Sequence, residues 1–379
     1  MPPALRVAFI DQVGAAAGGA EKTLGLFLKH RPADIDATAV LFEDGAFADH
    51  LRSLGVAVDV MGIAAALKES KRESMLAAGA VAVPAAAWTI AKRLRAHRID
   101  LMYTNSMKAH LVGALAARLA RLPCVMHFHD IVEGGALRAL RVAAKSGSKR
   151  RVACSHVVAD AIGVGATSAI YGPVELESYR NLPSRAAARV TLGVADDLPV
   201  VTLVGRINRW KGHDRFVRIA ARVNAELPTR FLIVGAPIFR DADFVPELER
   251  MIRDLRLASR VAFVPWIDDV RTVYAATDVN VNCSTREPLG RTAAEAAAAG
   301  VPTICFDDSG AAETIVAGVT GETIPAADEE RFAEAILHYV RNEPARAKAG
   351  QEARRAAIQF DAPHIAEQMA TVMRAAARA

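Results

Sequence analysis

The sequence predicts a two-domain α/β protein. Short apolar segments rich in β-branched residues alternate with longer helical segments, which is the pattern of a parallel sheet covered by helices. The alternation occurs twice, on either side of a polar, proline-containing segment at residues 180–199. The chain of 379 residues also exceeds what one hydrophobic core usually serves. These observations predict two Rossmann-like domains, each built on a doubly wound parallel sheet.

Seven strand candidates precede the polar segment and five follow it. Those of the first half are Arg6–Ile10, Ala37–Phe42, Val56–Val60, Asp100–Thr104, Pro123–Phe128, Arg151–Ser155 and Ser168–Tyr171. Those of the second half are Pro199–Gly205, Arg230–Gly235, Arg260–Pro265, Asp278–Cys283 and Pro302–Phe306. We expect domains at residues 1–182 and 183–360, followed by an amphipathic helix at residues 361–379.

The composition indicates a soluble globular protein. Hydrophobic residues make up 52% of the chain and aromatic residues 6%, which excludes a disordered chain or a disulfide scaffold. The cysteines stand singly in or beside apolar segments, without the paired spacing of a zinc site. We expect buried thiols in a reducing compartment and no metal site. The cysteines are Cys124, Cys154, Cys283 and Cys305.

Positive charge is concentrated in the first half of the chain. Residues 1–180 contain 22 Lys and Arg against 16 Asp and Glu, a net charge of +6, whereas the remaining residues carry −1. Basic clusters at residues 68–72, 92–98 and 138–151 suit an anionic membrane surface or a polyanionic acceptor. Solvated helix faces are the alternative. Nucleic acid is not expected as a partner, because the clusters lack interleaved aromatic residues.

The sequence favours a cytoplasmic protein. The N-terminus leads almost directly into a strand candidate, without the pattern of a signal peptide. The apolar segment Met75–Ala91 has 17 residues and contains Gly79 and Pro84, so it is too short and interrupted for a membrane span. A buried or interfacial helix pair fits it better. Together with the basic clusters, it suggests peripheral association with the inner face of the cytoplasmic membrane.

Residues 286–300, with the sequence REPLGRTAAEAAAAG, are the most informative segment for function. They predict a turn at residues 288–290 and an alanine-rich helix at residues 292–299. The first turn of a helix presents unpaired N–H groups and the positive end of the helix dipole, so it favours an anion. Glu287 and Glu295 then lie on either side of the anion site. Taken alone, such a pair is more typical of a solvated helix face.

Each half of the chain also begins with a strand and a glycine-containing loop. Gly18 and Gly19 precede a helix start, where the backbone can approach a phosphate. The loop lacks the GxGxxG spacing of a nicotinamide dehydrogenase. In the second half, Gly205 and Arg206 follow a strand and Lys211 lies at a helix start, so two cations converge where such sheets bind ligands. These cations suit a diphosphate, and a structural ion pair is the alternative.

Several segments carry a family resemblance. The main ones are GGAEKTL (18–24), GRINRWKG (205–212), REPLGRTAAEAAAAGVP (286–302) and SGAAETI (309–315), and similar ones are HFHD (127–130), ACSHVVADAI (153–162) and WIDDV (266–270). Together they resemble the retaining glycosyltransferases of family GT4. The resemblance spans nearly the whole chain, and its most specific part is the spacing of the two glutamates combined with the upstream Arg and Lys. It implies the GT-B fold: two facing Rossmann-like domains, a donor cleft between them, and a C-terminal helix that returns to the first domain.

The resemblance also implies a role for each matching residue. Glu287 would contact hydroxyls of the donor sugar, and Glu295 would bind the ribose of the nucleotide. Arg206 and Lys211 would hold the donor diphosphate and stabilise it as it leaves, and His129 would reach the donor sugar near the reacting carbon. The implied catalytic residues are thus His129, Glu287, Arg206 and Lys211. The other implied donor-site residues are Gly18, Gly19, Gly205, Trp266, Ile267, Leu289, Gly290, Arg291, Thr292 and Glu295; the acceptor-site residues are Asn105, Ser106 and His129; and His110 and His127 are interpreted as structural.

The implied reaction moves a hexose from a UDP- or GDP-sugar to a lipid-linked or cell-envelope glycan, as in polysaccharide biosynthesis. It proceeds with retention of configuration and without a metal or another cofactor. In same-face attack, the leaving phosphate oxygen takes the acceptor's proton. The protein then mainly positions the two substrates and neutralises the charge of the leaving diphosphate. Residues 241–243 spell the DxD pattern of metal-dependent transferases, but their context does not predict a metal site. Two alternatives stay open: a nucleotide-sugar epimerase of the same fold, and a non-catalytic nucleotide-sugar-binding protein.

Overall fold

The chain forms two compact α/β units in a computed structural model that describes residues 3–14, 18–62, 75–194, 197–237, 243–267 and 269–378. One unit comprises Met1–Pro173 with Ala362–Ala379, and the other comprises Val174–Asp361. Each contains one parallel sheet, so the predicted α/β class is confirmed. Basic residues 68–72 and the first two residues of the DxD pattern lie outside the described residues, as do the side chains of residues 75–81.

The first unit is built on a seven-stranded parallel sheet. Its strands are β1 (Leu5–Asp11), β2 (Ile35–Leu41), β3 (Ala57–Val60), β4 (Leu101–Thr104), β5 (Cys124–Phe128), β6 (Arg150–Ala153) and β7 (Ser168–Ala169). The strand order is β3-β2-β1-β4-β5-β6-β7. The order reverses between β1 and β4, and in open parallel sheets a ligand binds at such a reversal, beyond the carboxyl ends of the strands.

The helices of this unit cover its sheet, and the last helix of the chain is one of them. They are α1 (Gly19–Lys29), α2 (Ala46–Ser53), α3 (Met75–Ala96), α4 (Met107–Ala120), α5 (Gly134–Gly147), α6 (His156–Ile162) and α14 (Ala362–Ala377). Helix α14 places Ile365, Met369 and Met373 in the same apolar core as Phe9 and Tyr103 of the sheet. The free energy of apolar burial therefore holds the end of the chain on the first unit. No helix in the described part of the chain is long and apolar enough to cross a membrane.

The second unit is built on a six-stranded parallel sheet. Its strands are β8 (Val200–Val204), β9 (Arg230–Val234), β10 (Val261–Val264), β11 (Val279–Asn282), β12 (Thr303–Phe306) and β13 (Gly321–Ile324), in the order β10-β9-β8-β11-β12-β13. Its α-helices are α7 (Arg185–Thr191), α8 (His213–Glu226), α9 (Phe244–Asp254), α10 (Val270–Ala276), α11 (Arg291–Ala299), α12 (Glu329–Arg341) and α13 (Glu343–Ala356). Short 3₁₀ helices lie at Leu176–Tyr179, Arg209–Lys211, Gly310–Thr314 and Ala357–Phe360.

All twelve strand candidates overlap a strand of the structure, and their ends differ from the observed ends by a few residues. One strand, β13, is missing from the sequence prediction. Its sequence, GETI, contains a single aliphatic residue, so it lacks the apolar pattern on which the other assignments rest. At its start, a Cβ on Gly321 would lie 2.0 Å from the carbonyl oxygen of Thr303. Strand β13 therefore depends on close pairing with β12 rather than on a local pattern. All four cysteines are buried and form no disulfide.

A buried carboxylate ties the first helix of the second unit to its sheet. Asp278 lies just before β11, and its side chain is 1% exposed. It accepts hydrogen bonds from Arg185 Nη2 at 2.8 Å, Arg189 Nη2 at 2.9 Å and the backbone N–H of Val200 at 2.8 Å. Arg346 of α13 lies 3.4 Å from the same carboxylate. Helices α7 and α13 are thus both anchored to the sheet through one anion.

We expect Asp278→Asn to lower the free energy of unfolding of the second unit by about 3–5 kcal/mol, because it leaves the buried Arg189 guanidinium without its anion. Trp88 belongs to the first unit, whereas Trp210 and Trp266 belong to the second. Urea unfolding followed by tryptophan fluorescence in a Trp88→Phe background therefore reports on the second unit alone. The control is Glu226→Gln at the exposed ion pair with Arg341, which should change stability by less than about 1 kcal/mol. Equal effects of both substitutions would contradict the anchoring role.

Candidate functional site

The second unit presents a set of polar residues just beyond the carboxyl ends of β8 and β11. Gly205 and Arg206 follow β8, and the 3₁₀ helix Arg209–Lys211 comes next, with the Asn208 side chain capping it by accepting from the Lys211 N–H at 3.1 Å. Strand β11 pairs with β8, so the loop after β11, which contains Glu287, leaves the same edge of the sheet. This topology brings together residues that are far apart in sequence.

Lys211 and Glu287 form a buried ion pair at this edge. The distance between Lys211 Nζ and Glu287 Oε2 is 2.5 Å, and the side chains are 13% and 6% exposed. Glu287 Oε2 also accepts from Ser284 Oγ at 2.8 Å and from Asn282 Nδ2 at 3.4 Å. Lys211 Nζ lies 4.4 Å from the ring centre of Trp210, a cation–π distance. The carboxylate is therefore fixed by three donors, one from the 3₁₀ helix after β8 and two from the end of β11 and the loop that follows it.

The ion pair controls the protonation of Glu287. Burial raises the pKa of this carboxyl group, but the charge and hydrogen bond of Lys211, with those from Ser284 and Asn282, outweigh burial and lower the pKa below its usual value. Glu287 is therefore ionised at neutral pH. A carboxylate held in this way accepts hydrogen bonds from hydroxyl groups and cannot act as a general acid near neutrality.

The backbone around the ion pair requires glycine at two positions. Gly212 has φ +71°, and a Cβ there would lie 2.0 Å from the carbonyl oxygen of Cys283. Gly290 has φ +71°, and a Cβ there would lie 2.5 Å from Cβ of Ala311. The first contact joins the loops after β8 and β11, and the second joins the start of α11 to the 3₁₀ helix after β12. Both contacts set the position of the site loops at backbone level.

Helix α11 begins beside this site. Gly290 is its N-cap, and the helix starts at Arg291 and ends at Ala299, one residue earlier at its start than the sequence predicted. Its first-turn N–H groups lack acceptors within the helix and favour an anion. Leu289 is 7% exposed, and the backbone carbonyl of Thr292 accepts from the Tyr274 hydroxyl at 3.0 Å. The segment therefore has the glycine N-cap and the helix start expected of an anion site.

Glu295, four residues into α11, pairs with the first residue of its own helix. Arg291 Nη2 lies 3.3 Å from Glu295 Oε1, and both side chains are 16% exposed.

Arg206 is exposed, whereas Lys211 is largely buried, so the two predicted cations differ in environment. Trp266 is 48% exposed, and Ile267 packs against a small apolar cluster that includes Val264. The structure gives these residues positions, and their roles remain predictions.

The first unit presents its own polar residues at the carboxyl edge of its sheet. Asp11 ends β1, Asn105 follows β4 and His129 follows β5, and these three strands are neighbours. Asn105 Nδ2 donates to Asp11 Oδ2 at 2.8 Å and to the Ala20 carbonyl at 3.2 Å, and Asn105 Oδ1 lies 2.9 Å from His129 Nε2. Asp11 is 0% exposed and Asn105 is 1% exposed. A continuous hydrogen-bonded chain thus runs from Asp11 to His129.

The glycine-containing loop ends in the same region. Gly18 is the N-cap of α1, and its backbone N–H donates to Glu21 Oε2 at 2.7 Å. Burial, followed by the charge of Asp11, raises the pKa of Glu21 to about 7. Gly19 is the exposed first residue of α1. The Glu21 carboxyl group therefore accepts a hydrogen bond from the N-cap of its own helix. The charge of Glu21 changes with pH near neutrality.

Two further histidines are buried beneath this edge. Burial, together with the charge of His129, lowers the pKa of His110 to about 3 and that of His127 well below its usual value. The Tyr103 hydroxyl and His127 Nδ1 are hydrogen-bonded to each other, and the rings of His127 and His129 are 3.9 Å apart between centroids. Both buried histidines are therefore neutral and pack against or near His129. A small pocket above them is lined by Asn105, Ser106 and His129, which are the predicted acceptor residues.

Sequence reasoning missed Asp11, Glu21, Asn282 and Ser284. The signal for Asp11 was available, because it is a polar residue directly after an apolar strand, as Asn105 and His129 are. Asn282 and Ser284 gave no comparable signal, since their part in the site depends on the position of Glu287 after folding. Among the described residues, no group of three or more His, Cys, Asp or Glu side chains is placed to hold a metal ion.

Two family profiles match the chain. The profile for glycosyl transferases group 1 matches residues 184–356, and the profile for a glycosyl transferase 4-like domain matches residues 18–169. The first match contains the ion pair and the start of α11. The second contains the glycine-containing loop, Asn105 and His129. Apart from Asp11, which precedes the second match, the strand-end residues of both units therefore lie within segments that are typical of glycosyltransferases.

The chain is also similar to curated proteins named D-inositol 3-phosphate glycosyltransferase. It is 36% identical to the Rhodococcus opacus protein over 199 residues, which cover 51% of this chain and 44% of the relative. It is 28% identical to the Nocardia farcinica protein over 261 residues, which cover 62% of this chain and 58% of the relative. The chain thus spans about half the length of the curated relatives that it matches.

Several solved structures cover nearly the whole chain. HepE from Anabaena, crystallised with UDP and glucose, has a TM-score of 0.83 and 29% identity, and the match covers 98% of this chain and 100% of HepE. The same protein has been crystallised with UDP-glucose, with the same TM-score. Sucrose-phosphate synthase from Thermosynechococcus elongatus has a TM-score of 0.79 at 20% identity, which shows a shared fold.

We expect Lys211→Met to lower the free energy of unfolding of the second unit by about 3–5 kcal/mol at pH 7, because it leaves Glu287 as a buried, unpaired carboxylate. The loss relative to wild type should shrink as the pH falls towards 4. The lowered pKa of Glu287 in wild type means that the pair stabilises above the usual carboxyl pKa and loses its effect below it. In the variant, burial without a countercharge makes protonation of Glu287 favourable.

The measurement is urea unfolding in the Trp88→Phe background at several pH values. The double variant Lys211→Met/Glu287→Gln should recover most of the stability, because a neutral amide removes the buried charge. Lys348→Met, at an exposed lysine of the same unit, is the matched control and should have little effect. A loss for Lys211→Met that is independent of pH would contradict the ion-pair explanation.

Proposed function

Because this chain belongs to the group 1 glycosyltransferases of family GT4 and has the GT-B fold, we propose that it moves a hexose from a nucleotide diphosphate sugar to an acceptor, with retention of configuration. A UDP-sugar is the first donor to test, since HepE, at 29% identity over nearly the whole chain, has been crystallised with UDP-glucose. UDP-sugar and GDP-sugar are both compatible with the residues considered above.

The observation that carries this proposal is the buried Lys211–Glu287 pair, which lies at the carboxyl edge of the second sheet near the start of α11. We assign Lys211 and exposed Arg206 to the donor diphosphate, which gains negative charge as the sugar–phosphate bond breaks. We assign ionised Glu287 to hydroxyls of the sugar, because an anchored carboxylate accepts hydrogen bonds. Glu295 is assigned to the ribose, with its carboxylate held by Arg291.

The remaining donor contacts are assigned from the same resemblance. The backbone of Gly18, Gly19, Gly205, Leu289, Gly290 and Thr292 would donate to or approach the phosphates, Arg291 would support Glu295, and Trp266 and Ile267 would contact the base. His129 is assigned to the transferred sugar near its reacting carbon. Since Arg206, Lys211 and the start of α11 supply positive charge, we assign no metal to the reaction.

Donor binding gives a direct test of the assigned residues. UDP-glucose at about 100 times its dissociation constant should stabilise the protein by about 2.7 kcal/mol, seen as a rise in melting temperature. Glu287→Ala and Lys211→Ala should abolish most of this rise. The control Arg222→Ala, at an exposed arginine of α8, should keep it. UDP, GDP, ADP and their sugars form the ligand series, and unchanged donor stabilisation in both site variants would show that the site is assigned wrongly.

Product analysis separates the proposed reaction from its alternatives. A transferase releases free sugar slowly from donor alone and makes a glycoside when an acceptor is added. An epimerase converts the donor into an isomer without any acceptor, and a non-catalytic binding protein does neither. Acceptors to compare are a lipid-linked glycan and inositol 3-phosphate, because curated relatives carry the latter in their names. Chromatography of the nucleotide sugars and products distinguishes all three outcomes.

We further propose that the acceptor is lipid-linked or part of a cell-envelope glycan, and that helix α3 contacts an anionic membrane. Trp88 is 61% exposed on this helix, and Lys92 Nζ lies 5.7 Å from the centre of its ring. Lys92, Arg95 and Arg98 are also exposed. An exposed indole beside basic residues suits the boundary between lipid headgroups and acyl chains.

Flotation with vesicles tests this surface. The protein should float with phosphatidylcholine vesicles that contain phosphatidylglycerol at low salt, and not with phosphatidylcholine alone. Lys92→Gln/Arg98→Gln should weaken binding by about 2 kcal/mol, roughly thirtyfold, at about 1 kcal/mol for each charge. Arg222→Gln/Lys348→Gln, with the same change in net charge on the second unit, should bind like wild type. Equal flotation with both vesicle types, or flotation with neither, would contradict contact with an anionic membrane.

A further inference from the structure

The amide of Asn105 has one possible orientation. Its Nδ2 atom lies 3.2 Å from the backbone carbonyl oxygen of Ala20 and 2.8 Å from Asp11 Oδ2. A backbone carbonyl only accepts hydrogen bonds, so the atom that faces it must be the nitrogen, whatever the protonation of Asp11. The oxygen of the amide therefore faces His129. Both N–H groups of Asn105 are used within the protein, in a side chain that is 1% exposed.

This orientation decides which nitrogen of His129 carries a proton. Asn105 Oδ1 lies 2.9 Å from His129 Nε2, and an amide oxygen can only accept. The contact is a hydrogen bond only if Nε2 bears the proton. The lone pair of a neutral His129 is then at Nδ1, and the ring plane is held by a partner that cannot itself rotate without losing its bonds to Ala20 and Asp11.

We propose that Asn105 is a positioning residue for His129, rather than an acceptor ligand, and that Asp11 and the Ala20 carbonyl hold it in place. The proposal rests on the function assigned above, in which His129 contacts the transferred sugar. At pH values where its ring is neutral, His129 would then present Nδ1 to that sugar as its acceptor. The chain Asp11–Asn105–His129 crosses three neighbouring strand ends, so a rigid sheet fixes the ring that faces the reaction.

The first test is spectroscopic and needs no substrate. In protein with ¹⁵N-labelled histidine at pH 8, we expect His129 to show a protonated Nε2 and an unprotonated Nδ1. Its Nε2–H signal should be protected from exchange with water. His129→Gln assigns the signal among the ten histidines of the chain. A proton on Nδ1, or on both nitrogens at this pH, would overturn the proposal without any variant of Asn105.

The second test removes the positioning group. Asn105→Ala should expose the Nε2–H of His129 to rapid exchange and lower kcat for sugar transfer about tenfold to a hundredfold, with little change in KM for the donor. Asp11→Asn keeps an oxygen that can accept from Asn105, so it should show a smaller effect of the same kind. Thr104→Val is the matched control, because the Thr104 hydroxyl lies 2.7 Å from His110 Nδ1 instead. It should leave both the His129 signal and kcat unchanged.

The outcomes separate this proposal from the proposed function. If no acceptor is glycosylated, the proposed function fails. The protected Nε2–H signal of His129 still shows whether the hydrogen bond from His129 to Asn105 is present. If transfer occurs but Asn105→Ala leaves the His129 signal and kcat as in wild type, the positioning role is wrong. If Asn105→Ala raises KM for the acceptor and leaves the His129 signal unchanged, Asn105 is an acceptor ligand and the proposal is overturned.

Discussion

The buried ion pair between Lys211 and Glu287 is the interaction on which the site of the second unit depends. Two separate loops, after β8 and after β11, are joined by it at 2.5 Å. A buried pair of this kind gains little net stability over an apolar pair, because both charges lose water. Its value is that it keeps an ionised carboxylate and an ammonium group at fixed positions. Such prearranged charges are what a transferring phosphate and sugar require.

Both units use the same principle of construction. Parallel strands end together at one edge of a sheet, so polar residues that directly follow adjacent strands meet even when the sequence separates them. In the first unit this brings together Asp11, Asn105 and His129. In the second unit it brings together the loops that carry Lys211 and Glu287. One edge supplies a hydrogen-bonded chain and the other supplies paired charges, which suits the different roles assigned to them.

Two glycines allow the backbone of the site loops in the second unit to pack closely together. Positive φ at Gly212 and Gly290 lets neighbouring loops approach to distances that a Cβ would block. The Asp278 cluster has a related structural role, since it fixes α7 and α13 to the sheet that carries the site. The site therefore rests on a rigid frame rather than on long loops. This rigidity lowers the cost of organising charged groups during the reaction.

The sequence by itself determined the α/β class, twelve strands, the start of helix α11 to within one residue, and the family. These features are local: apolar periodicity, glycine and proline positions, and short motifs all act over a few residues. Strand β13 was not predicted, because its pairing with β12, rather than its own sequence pattern, makes it a strand. Only the tertiary structure decided that Glu287 is buried against Lys211, that Glu295 pairs with Arg291, and that Asn105 turns its oxygen towards His129. Burial and hydrogen-bond partners are set by strands that meet from distant parts of the chain, and no local pattern contains that information.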